Sequence, residues 1–401
     1  MNALSDRINA MSESATLVMA QAARELASKG VDVINLSVGE PDFHTPKYIQ
    51  EAAKKAIDDG FHFYTPVPGI PELRKAIAKK LQTENSLECT MDNIVVSTGA
   101  KQAIANTILS LVNPGEEVII LAPYWVSYLD IVKFAEGIPV IVSGTIENDF
   151  KATAKQIADA ITPKTKAIMF SSPANPTGAL FSKEELKAIA NVVAQHENLY
   201  ILADEIYEYI NYVGGHTSIG AIDKVKDQVI TINGFSKGYA MTGWRIGYIC
   251  APLHVAKATI KIQGQFTSAT NSITQKACVT AIEDLKNQKD TVKTMGEAFL
   301  RRRDLMVGLL KEIPNIQVNV PDGAFYLFPD FSAYYGKKTE SGETIENASD
   351  LSLYLLNIAN VSTVNGTAFG APKNIRMSFA TSDDKIIRAV ARIKDNLAKL
   401  S

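Results

Sequence analysis

The chain has 401 residues and is 46% hydrophobic, enough to bury a large core and, by size, more than one domain. Its 41 basic and 43 acidic residues nearly cancel, which removes any electrostatic reason to expect nucleic acid or an anionic membrane as a partner. Three scattered cysteines (Cys89, Cys250, Cys278) without a C-x-x-C pair argue against a disulfide framework or a zinc ribbon and suit a reducing cytoplasm, where we expect the protein.

The N-terminal stretch is polar and mixed in charge, no run approaches a membrane span, and the five histidines show no metal-binding spacing, so no metal is expected. From about residue 94, short β-rich runs alternate with helix-period segments. Runs at 94–97, 117–121, 139–142, 166–171, 200–204, 228–233 and 245–250 predict strands, with amphipathic helices such as 100–111 and 183–196 between them. Continuous apolar strands alternating with helices predict an α/β fold on a mainly parallel seven-stranded sheet covered on both faces. Ligands then gather at the carboxyl ends of the strands. Ser182 ahead of Lys183, Glu184 and Glu185 predicts a capping-box helix start. From about residue 297 the character changes. A basic helical run (Arg301, Arg302, Arg303) leads to predicted strands at 317–320 and 324–328, a polar surface insertion at 336–347, a helix, a strand at 376–380 and a last helix from Asp383. This part reads as a smaller α+β domain.

Four constellations stand where strands meet loops. In Ser97-Thr98-Gly99-Ala100-Lys101-Gln102 a strand stops at a small-residue turn that opens a helix. Free N–H groups there suit a phosphate, although an ordinary turn is the commoner meaning of such a loop. Asn175, in Pro173-Ala174-Asn175-Pro176-Thr177-Gly178, is held in a rigid turn, as in many loops of no further purpose, yet it is also suited to a fixed hydrogen bond to a ligand. Asp204 ends an apolar strand, with Tyr207 just beyond. A carboxylate at such a tip is a structural partner or a functional group in about equal measure. Lys237 follows a buried strand among glycines, with Arg245 beyond it, and Arg376 opens a strand near the C-terminus. An arginine can grip a carboxylate through two parallel hydrogen bonds, although a surface position is its default.

A lysine is costly to bury unless it is paired or converted to something neutral, and a Schiff base with an aldehyde cofactor is one such conversion. The four constellations fit pyridoxal 5′-phosphate. It needs a lysine for its aldehyde, an anion to keep its ring nitrogen protonated and a cradle for its phosphate. The stretch Gly234-Phe235-Ser236-Lys237-Gly238 also matches the G-x-S-x-G elbow of serine hydrolases. That reading requires an acid and then a histidine after Ser236. Only His254 follows, with no acidic residue between, so the order fails.

The motifs Asn175-Pro-Thr-Gly, Asp204-x-x-Tyr207, Ser236-Lys237, Gly243-Trp-Arg245-Ile-Gly and Arg376 resemble, in order and over essentially the whole chain, the class I aminotransferases of fold type I. Val38-Gly39-Glu-Pro-Asp-Phe and Tyr64-Thr-Pro are similarly typical, and the chain looks most like the bacterial aspartate aminotransferases of the subgroup that includes prephenate aminotransferases. The resemblance implies a division into an N-terminal arm with part of the small domain (1–47), a large PLP-binding domain (48–296) and a small C-terminal domain (297–401). It implies that Lys237 anchors the cofactor and carries the proton, that Asp204 pairs with the ring nitrogen, and that Tyr207 and Asn175 bond the ring oxygen. Trp125 stacks on the ring, and Gly99, Ala100, Lys101, Ser236 and Arg245 surround the phosphate. Tyr64 reaches the phosphate from the partner of a homodimer. Arg376, Asn175, Trp125 and the Gly39 backbone hold the substrate, with Thr16 and Lys101 at its distal carboxylate. One departure is Gly234, where many relatives carry a phosphate-binding serine.

The implied activity is transfer of the amino group of L-aspartate to 2-oxoglutarate by a ping-pong route. Broader, aromatic or prephenate specificity, and a PLP-dependent C–S β-lyase, reuse the same residues. A ligand-sensing regulator is the non-enzymatic alternative. It calls for an appended basic DNA-binding module, and no such module is expected before Ser14.

Overall fold

The computed structural model describes residues 4–9 and 11–401. A short strand, β1 (Ile34–Asn35), precedes the strands of the main sheet: β2 (Ile94–Ser97), β3 (Glu117–Ala122), β4 (Ile138–Ser143), β5 (Thr165–Ser171), β6 (Tyr200–Asp204), β7 (Val229–Gly234) and β8 (Gly247–Cys250). Four more short strands follow, β9 (Tyr326–Leu327), β10 (Val361–Ser362), β11 (Val364–Asn365) and β12 (Ile375–Ser378). The seven-stranded sheet runs in the order β2-β8-β7-β6-β5-β3-β4, and only β8 is antiparallel to its neighbours. A three-stranded sheet, β11-β12-β9, is antiparallel, and β1 pairs with β10 in parallel.

Successive residues of a strand face opposite sides of its sheet. Ile120, Met169, Leu202 and Ile232 therefore pack with Ile104 and Ile108 of the helix Ala100–Leu111. Their neighbours Ile119, Phe170, Ile201 and Ala203 pack with Leu186 and Ile189 of the helix Lys183–Val193. Burying each large aliphatic side chain contributes about 1.5–3 kcal/mol, and this burial on both faces fixes where the strands end. The expected cap is present: Ser182 accepts from the Glu185 backbone, and the Glu185 side chain accepts from the Ser182 backbone. A separate core around Phe299, Phe325, Leu351, Leu355 and Ile393 joins the smaller sheet to the helices Leu285–Leu310, Ala348–Asn357 and Asp383–Leu397. The helix Leu285–Leu310 runs unbroken across residues 296 and 297. Among the described residues no helix is long and apolar enough to cross a membrane.

Three expected strands differ, and of the one at 324–328 only Tyr326–Leu327 remains, as β9. Residues 317–320 make no ladder; Gln317 forms only an isolated bridge to Asp330, because the side chain of Asn319 takes the Phe328 N–H and donates to Thr177. Arg245 lies before β8 rather than in it. Its φ of 54° is left-handed, following a 3-10 turn at Thr242–Trp244, so the strand begins at Gly247.

Candidate active site

The carboxyl ends of β5, β6 and β7 and the start of β8 open on one cavity of about 440 Å³. Asp204, the last residue of β6, is buried. Its Oδ2 accepts from the Tyr128 hydroxyl at 2.7 Å and its Oδ1 from the Ile206 N–H at 3.2 Å. Burial pushes its pKa up to about 6, against the pull of those hydrogen bonds and of the Lys237 charge. Lys237, three residues past β7, donates to the Gly39 carbonyl at 2.5 Å and stands 5.8 Å over the Tyr207 ring. Burial lowers its pKa to about 8, and the Arg376 and Arg245 charges lower it further against the pull of Glu40 and Asp204. Acid and amine are thus both moved toward neutrality, as expected of groups set aside for chemistry.

Gly99 caps the helix Ala100–Leu111 with φ 85°, leaving the first N–H groups of the helix turned to the cavity side. A side chain at 99 would overlap the Arg245 guanidinium, so the glycine leaves room for both the arginine and a ligand. Ala100, Lys101, Ser236 and Arg245 line the cavity beside this helix end. Position 234, where the chain departs from the resembled family by carrying glycine, is closed to a side chain for a steric reason: a Cβ on Gly234 would stand 2.8 Å from the Gly247 Cα and 3.0 Å from the Ile246 carbonyl oxygen. A buried acid, a buried lysine and a cationic helix N-terminus in one cavity fit pyridoxal 5′-phosphate.

Arg376 on β12 is fully buried. It donates to Asn175 Oδ1 at 3.1 Å and to the Ser37 carbonyl at 2.6 Å, while its Nε has no partner. The rings of Tyr326 and Phe369 stand 4.6 and 5.1 Å from the guanidinium carbon. No carboxylate of the described residues pairs with it. Asn175, its Oδ1 engaged by Arg376 and its backbone N–H by Ser171, keeps its amide donors for a ligand. Trp125, Thr16 and Gly39 also line the cavity, and Lys101 Nζ lies 5.0 Å over the Trp125 ring. Burial, then the charge of Arg245, lowers the Lys101 pKa.

Of the expected site residues, all line this cavity except Gly99, which caps the helix just before the lining residue Ala100, and Tyr64, which is 98% exposed and absent from the lining. Three contributors were not read from the sequence. Tyr128 bonds Asp204; Tyr326 bonds the Tyr207 hydroxyl at 2.8 Å; and exposed Arg24 lines the cavity mouth on the helix Ala15–Ser28. The only signal for Tyr128 was its place one helical turn past Trp125. His254, the remaining hope of a hydrolase, bonds the Tyr200 hydroxyl at 2.9 Å and is absent from the cavity lining. Glu205, Glu208 and His216 meet within 4.8 Å although no sequence spacing announced them. Lys80, Asn85 and Ser218 already pair with these two carboxylates.

A family model described as aminotransferase class I and II matches residues 31–393. The chain is 44% identical to a probable aspartate/prephenate aminotransferase of Rhizobium leguminosarum bv. phaseoli, over 98% of each chain. It is equally identical to a bifunctional aspartate aminotransferase and glutamate/aspartate-prephenate aminotransferase of Petunia hybrida, covering 99% of this chain and 83% of that one. Among solved structures, the aspartate aminotransferase of Rhizobium meliloti superposes with a TM-score of 0.95 at 40% identity over 99% of both chains. The Thermus thermophilus aspartate aminotransferase with maleate does so with a TM-score of 0.93 at 39% identity, over 98% of this chain and 100% of that one.

Proposed function

Because the chain belongs to the class I and II aminotransferases, which use pyridoxal 5′-phosphate, we propose that it moves the amino group of L-aspartate to 2-oxoglutarate, giving oxaloacetate and L-glutamate. The observation that carries the substrate class is Arg376. A fully buried guanidinium cannot shed its proton, and one without a counter-ion is costly unless an anion completes it. An α-carboxylate lying on its free Nε edge, with Asn175 and the Gly39 backbone alongside, supplies that anion in both half-reactions. Lys101 and Thr16 support a second carboxylate at the other end of the substrate, and Arg24 adds positive charge at the mouth. A dicarboxylic acid balances these cations better than an apolar side chain does.

Bound pyridoxal phosphate supplies an electron-withdrawing ring that makes the substrate Cα–H acidic. Asp204 holds a proton on the ring nitrogen, and Tyr207 and Asn175 donate to the ring oxygen. Trp125 covers the ring face. Gly99, Ala100, Lys101, Ser236 and Arg245 hold the phosphate. Lys237 Nζ, with a pKa near 8, has a neutral fraction at physiological pH that can take the Cα proton and give it back. Tyr64 and its neighbour Phe63, 98% and 78% exposed, support a homodimer in which Tyr64 completes the partner's phosphate site. Free buried cysteines support a reducing, cytoplasmic setting.

The Rhizobium and Petunia relatives named for prephenate favour a second reading, prephenate as a further amino acceptor. A substrate panel separates the two. The visible band of the lysine-bound cofactor is expected to vanish with aspartate and return with 2-oxoglutarate; return with prephenate adds that acceptor. Lys101→Ala is expected to lower kcat/KM for aspartate by about tenfold or more relative to an apolar amino acid. Equal losses would remove Lys101 from the distal site, and a colourless reconstituted protein would sink the reading.

A further inference from the structure

Tyr128 stands in the helix Ser127–Phe134 with no exposed surface, among the apolar residues behind the sheet. A phenylalanine would fill that space as well, and burying a hydroxyl is costly unless it is bonded. Its hydroxyl donates to Asp204 Oδ2 at 2.7 Å, and Ser171 is the polar neighbour that eases its ionisation against burial. Ser171 is the register partner of Asp204 across β5 and β6, and its Oγ accepts the Asn175 N–H at 3.3 Å. The Tyr128 ring also meets Trp125 edge-on, with centroids 5.6 Å apart. A run of polar groups thus passes from the Asn175 loop through Ser171 and Tyr128 to the acid.

We propose that Tyr128 is a positioning residue that keeps the Asp204 carboxylate ionised and turned to the cavity, and thereby sets the protein's grip on the cofactor ring nitrogen. This rests on the reading that Asp204 faces that nitrogen. With the phenol on Oδ2 and the Ile206 N–H on Oδ1, each oxygen keeps one lone-pair site for a ligand. The charges facing Asp204 are Lys237, which favours its anion, and Glu205, which opposes it. Burial is the dominant upward push, and the Tyr128 hydrogen bond is the strongest influence drawing the acid back down. Removing the phenol leaves a more neutral acid, and a neutral acid cannot stabilise a charged ring nitrogen.

The test compares wild type, Tyr128→Phe, Asp204→Asn and the double variant. Infrared titration of the Asp204 carboxyl in cofactor-free protein, referenced to Asp204→Asn, is expected to move up by about one pH unit or more in Tyr128→Phe. The cofactor dissociation constant should rise about tenfold or more, with kcat lowered and KM for aspartate within about threefold. On the Asp204→Asn background, Tyr128→Phe should add no more than about twofold, since the two residues then act as one unit. Should Tyr128→Phe fold poorly, Ser171→Ala probes the relay from its other end, with a smaller shift in the same direction. An unmoved carboxyl titration, or an equal loss of cofactor affinity on both backgrounds, would reduce Tyr128 to core filling and overturn the proposal. Wild type that takes up no cofactor would instead overturn the functional reading beneath it.

Discussion

Asp204 and Lys237 are shifted in opposite directions by one cause, burial, and each carries a cost for the protein without its cofactor. For Asp204 the sign runs upward. Its folded pKa of about 6 lies above the ordinary aspartate value of 3.8, so the penalty is complete above 6 and disappears as pH falls through 6 toward 3.8. Asp204→Asn should therefore raise the melting temperature of cofactor-free protein at about pH 7.5, by on the order of 1–3 kcal/mol of stability, and leave it unchanged at about pH 4. Loss at both pH values would mean that the hydrogen bonds of Asp204, not its charge, dominate. Holoprotein should respond in the opposite sense, because the same change removes the proposed ring-nitrogen partner. Asp204, Asn175, Lys237 and Arg376 were legible in the sequence because polar residues at the tips of apolar strands stand out. Tyr128 and Tyr326 were not, since an aromatic inside an apolar run has the same signature whether it fills a core or bonds an acid. Tyr64 was named through resemblance alone, since an exposed aromatic in a loop carries no local sign of a ligand.

Strands β7 and β8 approach closely enough that their facing residues, Gly234 and Gly247, leave no room for side chains. A Cβ on Gly247 would in turn stand 2.8 Å from the Gly99 carbonyl carbon. Three glycines thus stack the lysine-bearing hairpin onto the N-terminal end of the helix Ala100–Leu111. Gly234→Ser is expected to lower the melting temperature, with a cost of about 1–3 kcal/mol, and to bring no gain in cofactor affinity. A stable variant with tighter cofactor binding would show that the strands can part to admit the hydroxyl. The main-sheet strands were readable to within a residue or two at most ends, because burial on both faces enforces unbroken apolar runs. Residues 317–320 misled for the complementary reason. None of these residues is buried, and the Asn319 side chain replaces the ladder that their composition suggested.

At the scale of the molecule, the proposed sharing of sites between subunits has a direct check. Mixing Lys237→Ala with Tyr64→Ala, each impaired alone, should restore up to about a quarter of wild-type activity, since half of the random dimers regain one complete site. No recovery in mixed dimers would place Tyr64 outside the site. The general layout was legible because alternation of strands and helices has few solutions. The path of the C-terminal part was less so, because it depends on two-residue strands that leave almost no periodic trace. The Arg376 guanidinium ties β12 to Asn175 and Ser37, stretches 201 and 339 residues away in sequence. A ribosome releases the chain from its N-terminus, so every residue proposed to hold the cofactor, from Gly99 to Arg245, is synthesised before Arg376 exists. The arginine proposed for the amino acid is therefore the last piece of the site to be added, after every residue proposed for the cofactor is already in the chain.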